Sequence, residues 1–330
     1  MSWFIFALIC LLGWGLADLF YKKGTDETDR NSHLKIAVWV GLVMGIAAFA
    51  MMPFTETGFN VKALLTNAVK YAPASLAYII SMVIGYAGLR YLELSIVSPI
   101  QNASGAFSAI AMLVYFIAVG RVTDFMEEFS VLDIIGTVLI VAGVIVLAVV
   151  EQGLSKKELK ELRAKTNDEK VLKQRKYRFG ALALLFPILY CIFDTIGTAA
   201  DGIILDEEVG MGLGEWDVLV LYGLTFLLAG IICYIVICIK EKKAYNPVAR
   251  TEGPKAIAAV CEEFGQVFYV FAMAKNPVVA APMVASYCIV SVILSRIFLK
   301  EKLKKGQLIA VIIVIAGIVL LGISEGLAEA

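Results

Sequence analysis

QLIAVIIVIAGIVLLGIS, residues 307–324, carries no charge, and DIIGTVLIVAGVIVLAVV, residues 133–150, carries one, at Asp133. A helix needs about 20 largely apolar residues to cross ~30 Å of hydrocarbon, and both stretches meet that length. Aligned without gaps, Ala142-Gly143 falls on Ala316-Gly317. The fold follows from two questions: how often such runs recur, and whether they recur in order.

Runs of this kind fill the chain at 2–20, 36–53, 72–92, 95–119, 130–150, 179–200, 217–239, 254–274, 277–298 and 306–324. These ten spans hold 211 of the 330 residues but nine of the 58 charges: Asp18, Arg90, Asp133, Asp194, Asp217, Lys255, Glu262, Glu263 and Arg296. The whole chain is 60% hydrophobic and 18% charged, with a mean hydropathy of +0.83. Soluble domains run near 45–50% apolar and about 25% charged. Disorder is excluded, because it needs low hydrophobicity and high net charge. The 29 basic and 29 acidic residues cancel, so no nucleic-acid partner is expected. A membrane β-barrel would show weak alternating ten-residue segments instead. The reading is an all-α polytopic membrane protein of ten helices in a cytoplasmic (inner) membrane, with the lipid bilayer as its solvent.

The first span lacks the basic n-region and small-residue cleavage site of a signal peptide and reads as a permanent span. The six cysteines, Cys10, Cys191, Cys233, Cys238, Cys261 and Cys288, all lie in apolar runs without a C-x-x-C. They read as small apolar packers, with no metal site or cofactor expected. Lys and Arg concentrate in the odd connections, 21–35, 151–178, 240–255 and 299–305. Cytoplasmic loops carry that excess, so both termini are expected outside. The linker 151–178, beginning EQGLSKKELKELRAKTNDEK, reads as a short cytoplasmic amphipathic helix.

The linker divides the spans five and five, giving the expected division 1–150, 151–178 and 179–330. Span 4 contains SPIQNAS (Ser98 to Ser104) and span 9 APMVAS (Ala281 to Ser286), each a Pro followed by Ala-Ser about one turn later. Spans 3 and 8 open with Pro73 and Pro254, and spans 1 and 6 each carry an Asp four residues after an aromatic. Five is odd, so the second copy enters the membrane from the opposite side. The equivalent turns GRVTDFMEEF and KEKLKK differ in charge sign, as turns on opposite sides should. Inverted repeats meeting at a buried site are a common plan for secondary transporters.

Together with FLKEKLKKGQLIAVIIVIAGIVLL (Phe298 to Leu321), this order of motifs resembles the drug/metabolite transporter superfamily, EamA type, over nearly the whole chain. The resemblance implies a ten-helix fold with a central cavity between two inverted five-helix repeats, and movement of small metabolites by alternating access. The chain departs from the pattern in its long charged linker and its extended turn RVTDFMEEFS.

Ionisable groups inside a bilayer are functional candidates by default. Asp133, Asp217, Lys255 and Arg296 lie near span ends and read as structural, and Arg90 is expected to pair with Glu93. Asp194 lies well inside span 6, on one face with Tyr190 and Thr198; Pro187, one turn before Cys191, is read as a break on that face. Asp18 with Trp14 repeats the pattern in span 1. Glu262 shares a stripe with Gln266 and Tyr269, so it, rather than Glu263, is expected to face the cavity. A carboxyl held in low dielectric can exchange a proton, which proton coupling requires. Gln101, Asn102 and Ser104 follow Pro99, which frees a backbone carbonyl. Tyr287 in span 9 completes the candidate site.

The deep candidates are acids without a deep Lys or Arg. An anionic solute would need a cation clamp, so a cationic, zwitterionic or neutral small-molecule solute is expected, coupled to a proton or cation. The aromatics suit cation–π contact or stacking on a sugar, so a sugar uptake porter is an alternative. A non-transporting scaffold or sensor is another. Catalysis has little support, because no G-x-S-x-G, H-E-x-x-H or P-loop occurs and His33, the sole histidine, is expected in a polar loop; an intramembrane hydrolase would have to use Asp194 and Glu262. Gly41 and Gly45 form a G-x-x-x-G that serves packing within the monomer or a homodimer.

Overall fold

The computed structural model describes residues 2–26, 28–92, 94–124, 126, 129–165, 185–299 and 305–328. Within them the chain is helical and without strands: α1 (Trp3–Gly24), α2 (Ser32–Met51), α3 (Val61–Gly88), α4 (Leu94–Asn102), α5 (Ser104–Ala118), α6 (Val131–Lys165), α7 (Leu185–Leu205), α8 (Glu215–Glu241), α9 (Gly253–Lys275), α10 (Pro277–Ala285), α11 (Tyr287–Phe298) and α12 (Lys305–Ala328). In hydrocarbon only a helix satisfies its own backbone. Among the described residues nine stretches are long and apolar enough to cross a membrane, and Val131–Leu147 of α6 is a shorter apolar helix. This is an all-α polytopic membrane protein.

The long helices turn large aliphatic side chains outward, among them Leu12, Ile46, Ile110, Ile192, Leu228 and Ile312. Inside, glycine, alanine and serine let backbones approach, as is common between membrane helices. The most extensive pairings are α2 with α8, α1 with α9, α6 with α12 and α3 with α7. Exchanging the first five spans for the last five leaves this scheme unchanged. The pairs α2–α8 and α6–α12 map onto themselves, and α1–α9 becomes α7–α3. The match reaches single residues: Gly143 rests on Ala310 and Val314, and Gly317 rests on Gly136 and Ile140. Swapping Gly143 for Gly317, Ala310 for Gly136 and Val314 for Ile140 turns one contact into the other. The G-x-x-x-G of α2 is filled from within the molecule, because Gly41 lies against Phe226 and Gly230 of α8, and Gly45 against Leu227.

Spans 4 and 9 are broken. α4 gives way to α5 at Ala103 (ψ −18°), and α10 to α11 at Ser286 (ψ −2°). Each break lies four residues after a proline, Pro99 and Pro282, which cannot donate to the preceding turn. The Asn102 side chain bonds the Ser98 carbonyl at 2.8 Å, and Ser286 Oγ bonds the Met283 carbonyl at 2.5 Å. α5 and α10 cross at Gly105, where a Cβ would collide with Ala285.

Several boundaries differ from expectation. α3 begins at Val61 rather than at Pro73, which lies inside the helix; Asn60 caps the earlier start by accepting from the Ala63 N–H at 3.2 Å. Pro73 and Pro254 are therefore not equivalent openers, since Pro254 does occupy the first turn of α9. α6 runs on to Lys165, so the described part of the linker continues span 5 rather than forming a separate helix. Residues 166–178 and 179–184, Glu93 and the 300–304 turn lie outside the described residues. α7 extends to Leu205, and Pro187 sits in its first described turn, where proline is tolerated. His33 is the second residue of α2 rather than part of a loop.

The loops sort into two ends. Lys35 joins Asp29 and Glu241 at 2.8 and 3.0 Å, and Arg90 Nη1 donates to the Arg30 carbonyl at 3.0 Å. These contacts gather the first, third and seventh connections at one end. Arg121 pairs with Asp206, and Thr57 Oγ1 donates to Asp217 at 2.8 Å. These gather the second, fourth and sixth connections at the other. Loop charge makes the same division. Lys255 is held at the first end by Glu252 at 2.7 Å. Asp133 caps α6, accepting from the Ser130 N–H at 3.0 Å.

Candidate functional site

A cavity lies where α1, α3, α7, α8 and α9 surround the two broken spans. Trp14, Asp18, Gln101, Asn102, Tyr190, Asp194, Glu262, Gln266, Tyr269 and Tyr287, the ten residues singled out in the sequence, all line it. Glu263 does not, although it too is buried. Adjacent helical residues lie 100° apart, and the stripe shared with Gln266 and Tyr269 is the one turned inward.

The acids are held by serines of the broken spans. Asp18 Oδ2 accepts from Ser98 Oγ at 2.6 Å and from Ser291 Oγ at 2.7 Å, so it joins α1 to α4 and α11. Asp194 Oδ2 accepts from Ser104 Oγ at 2.6 Å, the first residue of α5. Each carboxylate thus docks beside a helix break, and its hydrogen bonds are of the strong, charge-assisted kind. Ser108 instead donates to the Ser104 carbonyl at 2.7 Å and the Thr195 carbonyl at 3.3 Å.

Glycines make room for the aromatics. A Cβ at Gly265 would fall on the Trp14 ring, and one at Gly85 would lie 2.6 Å from Tyr190 Cδ2 and 2.8 Å from Gln101 Nε2. Trp14 and Tyr190, the two aromatics that precede the acids, therefore each lie over a glycine of the opposite half. Trp14 Nε1 donates to the Glu262 carbonyl at 3.2 Å, and its ring packs 5.0 Å from Tyr269 and 5.6 Å from Tyr287.

Sequence reasoning missed most of the tyrosines. Tyr21, Tyr78, Tyr86 and Tyr222 also line the cavity. Tyr78 and Tyr269 share a hydrogen bond of 2.6 Å, and Tyr78 donates to Thr198 at 3.2 Å. A tyrosine in an apolar run is equally suited to the membrane interface, so only helix register could have singled these out. Asp201 was missed for a plainer reason. Span 6 was ended at residue 200, whereas α7 continues and buries Asp201 completely. Its place seven residues after Asp194, on the same face, was the available signal.

The cavity's free volume is about 50 Å³, room for a few waters at ~10–15 Å³ each. No Lys or Arg is among its lining residues. Gln266 Nε2 is buried in its wall with no hydrogen-bond partner, so a donor is available to a solute. Lys22, one turn after Asp18 in α1, is not a lining residue and donates to the carbonyls of Leu89 and Leu92. Among the described residues no group of three or more His, Cys, Asp and Glu could hold a metal ion.

Residues 209–323 match the EamA-like transporter family. A relative from Methanocaldococcus jannaschii, the uncharacterized protein MJ1333.1, is 27% identical over 144 residues, which are 43% of this chain and 98% of the relative. A protein of known crystal structure superposes with a TM-score of 0.55 at 14% identity, covering 99% of both chains; at that identity the likeness is one of fold. The second half of the chain, over residues 209–323, is thus similar to the EamA-like transporter family, and the whole chain shares its fold with the solved structure.

Proposed function

We propose that the protein is a secondary transporter that moves a small cationic, zwitterionic or neutral solute across the cytoplasmic membrane by alternating access. Two five-helix halves, residues 1–150 and 179–330, move against each other about the cavity, and loop charge puts both termini outside. The observation that carries this reading is one buried cavity, lined by Asp18, Asp194, Glu262 and eight aromatics but by no lysine or arginine, at the junction of two broken spans. Buried carboxylates with aromatic faces suit an ammonium group, and broken helices at a repeat interface are where transporters bind solutes. Coupling to a proton or cation would act through the buried carboxylates. A neutral sugar is the second reading, favoured by the unpartnered Gln266 amide beside Gln101 and Asn102. A homodimer has little support from the G-x-x-x-G of α2, which α8 fills.

The test has two arms. A thermal-shift panel of amino acids, polyamines, choline-like cations, sugars and nucleosides identifies the solute class, because a ligand of the native state stabilises it by mass action. Liposomes holding the purified chain should then take up the radiolabelled binder, and Asp194→Asn should abolish or uncouple uptake. If no member of the panel binds or crosses, the transporter reading fails.

A further inference from the structure

Asp201 is fully buried in α7, and neither carboxyl oxygen makes a hydrogen bond. It lies outside the cavity wall. The hydroxyls of Tyr71 and Tyr78 from α3 and Tyr269 from α9 are near enough to act on it, although none meets hydrogen-bond geometry with it. Tyr222 of α8 and Asp194 on its own helix are the next titratable groups. From α5 and α10 the neighbours at this level are Met112 and Pro277, packed on Gly202 and not titratable. Tyr71 is itself fully buried, and its hydroxyl has no hydrogen-bond partner.

A buried carboxylate without partners is expensive, so something must neutralise it. The hydrogens decide what. Each tyrosine hydroxyl has one proton to donate. Tyr78 spends its proton on Thr198, so Tyr269 spends its own on Tyr78. Only Tyr71 keeps a proton free. One donor is a poor match for an anion with two oxygens. A neutral carboxylic acid fits better, because it gives its own proton to a phenol oxygen. A metal cation is disfavoured, because a proton needs no volume and Asp201 is not part of the solute cavity's wall.

We propose that Asp201 is a proton-binding site separate from the solute cavity and joined to it by the Tyr269–Tyr78–Thr198 hydroxyls. In the transfer, Asp201 gives its proton to Tyr269 Oη, Tyr269 gives one to Tyr78 Oη, Tyr78 gives one to Thr198 Oγ1, and Thr198 releases one to cavity water. Every hydroxyl gains and loses one proton, and Asp201 is left as the carboxylate. Thr198 and the two tyrosines line the cavity, so proton release and solute occupancy meet there. A coupling role for this proton rests on the transporter reading; the proton site itself does not.

Infrared difference spectroscopy on the purified full chain, with protons and deuterons as the only probes, tests the site. At neutral pH the wild type minus Asp201→Asn should show one protonated-carboxyl band, and deuterium exchange of that band should slow tenfold or more in Tyr269→Phe. A carboxylate band in that difference overturns the site, and unchanged exchange in Tyr269→Phe overturns the relay. Should Asp201→Asn fail to fold, the band shift between wild type and Tyr71→Phe replaces it, and an identical band in both overturns the proposal. In liposomes given labelled choline, putrescine or alanine, Asp201→Asn should keep solute exchange but lose accumulation driven by a pH gradient. Gradient-driven accumulation at the wild-type level in Asp201→Asn overturns the coupling role. No flux in either protein, with the band present, counts against the transporter reading alone.

Discussion

Replacing Asp194 with Asn keeps the shape of the side chain and an oxygen for the Ser104 hydroxyl, so the hydrogen bond at 2.6 Å need not be lost. What goes is the charge. An ammonium about 4 Å from that carboxylate gains about 4 kcal/mol at an effective dielectric near 20. Desolvation of the ammonium offsets part of this, and losing one partner of a buried charge pair costs about 2–5 kcal/mol. With about 1.4 kcal/mol per tenfold change, a cationic solute should bind roughly 30- to 4,000-fold more weakly. A neutral solute loses at most an ordinary hydrogen bond, about 0.5–1.5 kcal/mol or roughly tenfold. Dissociation constants from concentration-dependent thermal shifts, taken for one cationic and one neutral binder, separate the two cases. Glu262→Gln is the companion measurement on the facing helix. Wild-type affinity for every binder in both variants would refute the assignment of these acids to the solute site.

Ser98→Ala and Ser291→Ala each take one donor from Asp18, and each should cost about 1.5–3 kcal/mol of stability; melting in detergent should show both losses, and two unchanged melts would mean that Asp18 does not hold the broken spans. Gly265→Leu places a side chain where Trp14 lies and should cost about 1–3 kcal/mol by overpacking; tryptophan emission should shift and binding fall, while Gly253→Ala, with nothing within 4 Å of the added carbon, should melt like wild type. Asp29 lies outside the spans, where burial pushes its pKa up but the hydrogen bonds from Lys35 and the Asn31 N–H outweigh it and hold the carboxyl below its usual 3.8. Its contribution is therefore present above pH 3.8 and lost as the pH falls through the lower folded value. Asp29→Asn should lower stability by about 0.2–1 kcal/mol at neutral pH and flatten the acid limb of a melting-temperature profile; a profile parallel to wild type would contradict this.

The spans were legible because hydrocarbon leaves the backbone no alternative to a helix and because charge marks where each run ends. The ten candidate residues met in one cavity for a related reason: a polar group in an apolar run cannot face lipid, so composition alone pointed inward. The same rule misled at Asp201. An acid at the edge of a run was taken as the start of a loop, when the helix carried it on into the interior. The one-residue interruptions at Ala103 and Ser286 were not legible, because both residues keep dihedral angles in the helical region and neither type breaks a helix. The early start of α3 was hidden because residues 61–71 mix polar and apolar side chains, and only the Asn60 cap gives it away.

The pairing scheme maps onto itself when the halves are exchanged, but the serines do not. Ser291 reaches Asp18, while Ser108, the same distance past its own break, stays on backbone carbonyls. Ser98, the second donor to Asp18, faces an alanine, Ala281, at the corresponding place. A symmetric scaffold has two ground states of equal standing, one for each half playing each part. If the halves alternate as proposed, the unmatched hydroxyls lift that degeneracy and favour one arrangement over the other through a few side-chain oxygens rather than through the helices.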